Sequence, residues 1–127
     1  FMSLGQVICH LGDGLGGELC CLVTGQWPFT SAEQMAEMMK LENIPSCSGA
    51  EALRKLEQDK TVLREFLDTI SEEDFTHKLV FTPWGMQGKL ERMAIAFLEH
   101  FTNHKMQLFT YLKLLGFPVD TGTLYFG

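Results

Sequence analysis

The sequence contains no run approaching the roughly 18 apolar residues that a membrane-spanning helix needs. No basic region precedes an apolar stretch as in a secretory leader. Positive charge is in short supply: 10 Lys and Arg stand against 16 Asp and Glu, a formal net charge of -6, with a sequence pI of about 5.1. A chain of that sign is repelled by phosphate backbones, so nucleic acid is not an expected partner. The four cysteines, Cys9, Cys20, Cys21 and Cys47, form no CxxC pair and no disulfide framework. They read as reduced, mostly buried thiols, which places the protein in the cytoplasm. Internal repeats and low-complexity segments are also missing.

What remains is a chain of 127 residues, 46% hydrophobic, enough for a single domain over 1–127 with one core. The periodicity is helical throughout, and an all-α bundle is the expected fold. Leu4, Val7, Ile8, Leu11, Leu15, Leu19 and Leu22 predict a helix from Leu4 to Thr24, with Ser3 as its cap and Gly25 as its stop. A short helix over Ala32–Lys40 follows a Ser31–Gln34 capping-box spacing and has a methionine face of Met35, Met38 and Met39. Ser48 and Glu51 open a long helix over Gly49–Ile70, whose apolar stripe includes Leu53, Leu56, Phe66, Leu67 and Ile70. Its other face, Arg54, Lys55, Glu57, Asp59, Lys60, Arg64 and Glu65, reads as solvated. Ser71 to Gly88 is a linker with a short extended piece at Lys78–Phe81. The last helix runs from Lys89 to Leu115, closed by Gly116 and Pro118, and a surface-wrapping tail covers Val119–Gly127.

The last helix carries the chemistry. Leu90, Phe97, His104 and Tyr111 share one core position of a heptad, and Met93, His100 and Gln107 share the other. His100 and His104 therefore point inward from one face, with Cβ atoms about 5–6 Å apart, a spacing that lets two imidazoles chelate one ion. Burying both rings without partners would cost several kcal/mol; a metal, or water in a polar cavity, would satisfy them. His10, at the edge of the first helix's apolar stripe, is the candidate third ligand. Gly14, Gly17 and Cys21 follow it on the same face and leave space for a neighbouring helix or a ligand. Gly12, Gly14 and Gly17 also fit GxGxxG, but no βαβ pattern surrounds them, so dinucleotide binding is a poor reading. His77 is a solvated linker residue, and Trp27 and Trp84 are core or rim residues. Spacing alone identifies no Ser-His-Asp or Cys-His arrangement.

Two segments resemble the DinB superfamily of metal-binding four-helix bundles. One is SLGQVICHL over 3–11 with TGQWP over 24–28; the other is HFTNHKMQLFTYLKLLG over 100–116, preceded by Pro83-Trp84-Gly85. The resemblance implies a DinB-like four-helix bundle with long crossover connections. It further implies that the family's first helix is missing ahead of Phe1, so that the domain is N-terminally incomplete. It implies a zinc or nickel ion on His10, His100 and His104 with open positions. It also implies a metal-dependent transferase using a low-molecular-weight thiol of the bacillithiol or mycothiol type on an electrophilic small molecule, and association as a homodimer. The alternatives are a metal-dependent hydrolase and a non-catalytic, stress-related metal-binding protein. No general base is evident near the ligands, Asp13 and Glu18 being the only acids on the first helix, and this favours transfer over hydrolysis.

Overall fold

A computed structural model describes residues 1–126. The fold is all-α with one small hairpin. Its elements are α1 (Leu4–Asp13), α2 (Gly16–Thr24), α3 (Ala32–Met38), α4 (Gly49–Thr69), α5 (Glu72–His77), β1 (Leu79–Phe81), β2 (Gln87–Lys89), α6 (Leu90–Leu114) and α7 (Thr121–Phe126). Ser3, Ser31 and Ser48 each accept from the backbone N–H three residues on, but the boxes expected at Ser31–Gln34 and Ser48–Glu51 form only by this half, the Gln34 side chain accepting from Thr30 instead. At Ser3 the box is complete, because the Gln6 side chain also accepts from the Ser3 N–H at 2.7 Å. Among the described residues no single helix is long and apolar enough to cross a membrane.

The predicted helix over Leu4–Thr24 is in fact two helices, α1 and α2, bent by 55°. The break lies at Gly14, whose φ of +68° is a conformation L side chains rarely adopt. Asp59, on α4, stabilises it. Its carboxylate accepts from the Gly16 and Gly17 N–H groups, both at 2.8 Å, and so caps the exposed N-terminus of α2 from a neighbouring helix. Asp59 is therefore 8% exposed and not part of a solvated face.

The α1–α2 rod lies between α4 and α6 and packs on both. Against α4 the backbones nearly touch: a Cβ on Gly16 would lie 2.6 Å from the Leu63 nitrogen. The face of α4 that this buries carries Ala52, Asp59 and Phe66, while Leu53 and Leu67, which the stripe includes, point to solvent. Leu19, Leu22, Phe66, Val80, Leu90, Met93 and Phe97 form the main core, and Val7, Cys9 and Leu11 extend burial along α1.

The linker has structure of its own. Ser71 caps α5, and the extended piece becomes β1, paired antiparallel with β2 as Leu79↔Lys89, Val80↔Gly88 and Phe81↔Gln87. Val80 enters the core while Leu79 and Phe81 face outward, the alternation a strand imposes. The tail also differs from expectation. Residues 121–126 form a short helix that buries Leu124, because Asp120 accepts from the Thr123 N–H at 2.9 Å and caps it. Gly127 lies outside the described residues.

Candidate metal centre

His10 lies in the last turn of α1, and His100 and His104 lie one turn apart on α6. Packing of α1 on α6 brings the three together. One ring nitrogen from each lies within 4.8 Å of the others. His10 Nε2 and His100 Nε2 are 3.0 Å apart, close to the spacing of about 3.3 Å that two tetrahedral zinc ligands at about 2.0–2.1 Å would have. The ring centroids of His104 are 4.6 Å from those of both His10 and His100, with the planes near perpendicular. His10 and His104 are half-buried; His100 is exposed, contrary to the inward orientation that the heptad predicts, yet its ring faces His10.

Two of the donors, His10 and His100, are biased toward the neutral form that a metal requires. Burial, with His104 and His100 adding to it, lowers His10 to about 4. Burial and then His104 also lower His100. Both shifts favour the neutral ring. His104 has a fixed tautomer: its Nδ1 donates to Gln107 Oε1 at 3.0 Å, leaving Nε2 with its lone pair free. The chain of bonds continues. Gln107 Nε2 donates to the Tyr111 hydroxyl at 3.0 Å, and that hydroxyl donates to the Met2 carbonyl at 2.9 Å. Gln107 and Tyr111 share the histidines' seam, where heptad spacing suits packing or pocket lining and does not reveal this hydrogen-bond chain.

No protein-family model matches this chain, and no curated protein matches it.

His10 and His100 line two neighbouring cavities, whereas His104 lines neither. The larger, about 540 Å³, is lined by His10 and His100 at one end and elsewhere mainly by aromatic and methionine side chains. The smaller, about 280 Å³, shares His10, Asp13, Glu18, Pro28 and His100 with it. Glu18 is the acid that the sequence reading did not assign. Burial, followed by the charges of Asp59 and Asp13, raises its carboxyl to about 7. No spacing rule reveals it, because the bend at Gly14 is what sets its position relative to His10. Asp13 is held by Lys55 at 2.6 Å, so Lys55 is a half-buried ion-pair partner and not a solvated charge.

The small residues near His10 divide between two roles. Gly14 and Gly16 serve the approach of α4, while Gly17 and Cys21 line the larger cavity. Burial raises the Cys21 thiol, so it stays protonated at neutral pH. Gly12, Gly14 and Gly17 lie on a helix, a break and a helix, not on a strand-to-helix phosphate loop. His77 is exposed on α5, away from the other histidines. Trp27 and Trp84 pack edge to face at 4.9 Å against the core and also line the larger cavity.

Proposed function

We propose that this chain is a DinB-like metal-dependent transferase that joins a low-molecular-weight thiol, of the bacillithiol or mycothiol type, to an electrophilic small molecule. The observation that carries this reading is the convergence of three imidazoles, two of which, His10 and His100, open onto the neighbouring cavities. His10, His100 and His104 are the residues that would hold zinc or nickel; when bound, such an ion lowers the pKa of a thiol beside it and so favours its nucleophilic anion. The larger cavity's own cysteine, Cys21, is kept as a thiol by burial, which supports an external sulfur nucleophile. Glu18, partly ionised near neutral pH, accepts the thiol proton. The sulfur then bonds to the electrophilic carbon, and the leaving group departs with the electron pair of the bond that breaks. The Gln107–Tyr111 chain keeps the lone pair of His104 on the correct nitrogen. A reducing cytoplasm, where such thiols accumulate, fits four free cysteines. Apolar side chains left exposed along α6, among them Ile95, Leu98 and Met106, support association of two copies.

Glu18 also favours a second reading. If the histidines held a metal, it would lower the pKa of water there, and a carboxyl with a pKa of about 7 could take up the proton released, which suits hydrolysis. The two are separated by incubating zinc- or nickel-loaded protein with 1-chloro-2,4-dinitrobenzene and bacillithiol, mycothiol or cysteine, alongside an ester panel without thiol. Thioether formation above the uncatalysed rate, abolished by chelation, is the expected result. Metal-dependent ester cleavage with no thioether would establish the hydrolase instead.

A further inference from the structure

The larger cavity is about 540 Å³, within the range of small-molecule sites, and its polarity is one-sided. Polar groups gather at the histidine end. The remaining wall is built from an aromatic cluster in which Trp27 lies 5.9 Å from Phe29, 4.9 Å from Trp84 and 6.3 Å from Phe97 between ring centroids. Methionines complete the lining. Among them, Met39 and Met86 are 47% and 44% exposed, so neither is locked into the core. Thioethers adapt to irregular apolar shapes, and aromatic faces and edges prefer flat, polarisable partners.

We propose that this chamber binds the aromatic portion of the electrophile, so that the substrate is amphipathic, with its reacting end at the histidines and an aryl group between the tryptophans and the methionines. The assignment of the reacting end rests on the transferase reading; binding of the aryl group does not. Residue types argue against a sugar or a charged headgroup in this volume, because away from the histidine end few groups are present to hydrogen-bond it.

The chain's two tryptophans both line the chamber, so intrinsic fluorescence reports on it directly. The probe is 6-propionyl-2-dimethylaminonaphthalene, a neutral aromatic that accepts tryptophan emission, titrated into metal-free protein and into zinc-loaded protein. Saturable energy transfer in both is expected, with the Kd raised at least tenfold in Met39→Glu/Met86→Glu of unchanged circular dichroism. If the double variant does not fold, either single variant serves. Absence of saturable transfer, or transfer indifferent to these charges, overturns the proposal. Saturable transfer in a protein that takes up no zinc would leave the aryl site standing and remove the transferase reading.

Discussion

The α1–α2 rod meets α4 on one side and α6 on the other, and the two seams are built by opposite means. Toward α4 the contact is closed: Gly16 leaves no room for a methyl group, and the buried Asp59 carboxylate ties the two helices through two hydrogen bonds. Toward α6 the contact is open: the imidazoles meet with His10 and His100 nitrogens 3.0 Å apart, and cavities of about 540 and 280 Å³ lie beside them. The glycines lower helix propensity by about 1 kcal/mol each, a cost that falls entirely on the rod. Its return is a rigid seam that fixes His10 without filling the space in front of it. Position is supplied from one side and vacancy from the other.

The largest expected effect comes from forcing a side chain into the tight seam. Gly16→Ala places a methyl group against the backbone of Leu63. Destabilisation of about 2–4 kcal/mol is predicted by urea denaturation, with weakened zinc binding because His10 moves with the rod. The open seam responds differently. Gln107→Ala frees the His104 ring to change tautomer, and a 10- to 100-fold loss of zinc affinity is expected with little change in Tm; equal losses in both would mean that the seams are one structural unit.

The smallest effect is electrostatic and depends on pH. The carboxyl of Glu18 has a folded-state pKa raised to about 7 from an ordinary 4.5. The folded state therefore prefers the protonated form: this contribution is fully present below about pH 4.5 and is lost as pH rises through 7. Glu18→Gln removes that loss, so the variant should exceed the wild type in stability by about 1–2 kcal/mol at pH 8 and match it near pH 4.5. His10, lowered to about 4, acts with the opposite sign: metal-free protein loses stability as pH falls from 6.5 toward 4. Both forms share that loss, and their difference isolates Glu18. A variant no more stable than wild type at pH 8 would place Glu18 in water and outside the site.

The open seam was largely legible in the sequence, and the closed one was not. His100 and His104 lie one helical turn apart, and His10 edges an apolar stripe; these are local periodicities, and packing had only to bring two helices together. The serine caps at Ser3, Ser31 and Ser48 are local in the same sense. The bend at Gly14 depends on Asp59, more than 40 positions away in sequence, which has the pattern of any charge on a solvated helix face. Glu18 gains its environment only once that bend exists. The partner strand Gln87–Lys89 carries no β-rich pattern and forms because the turn after Phe81 returns the chain beside β1.

The three-histidine site is tested most directly by elemental analysis of protein purified without added metal and then equilibrated with zinc or nickel, for the wild type and for His10→Ala, His100→Ala and His104→Ala. One equivalent of metal per wild-type chain, lost in each variant while circular dichroism is unchanged, is the predicted result. A wild type that takes up neither ion, or variants that retain it, would contradict the assignment and leave three histidines packed between helices.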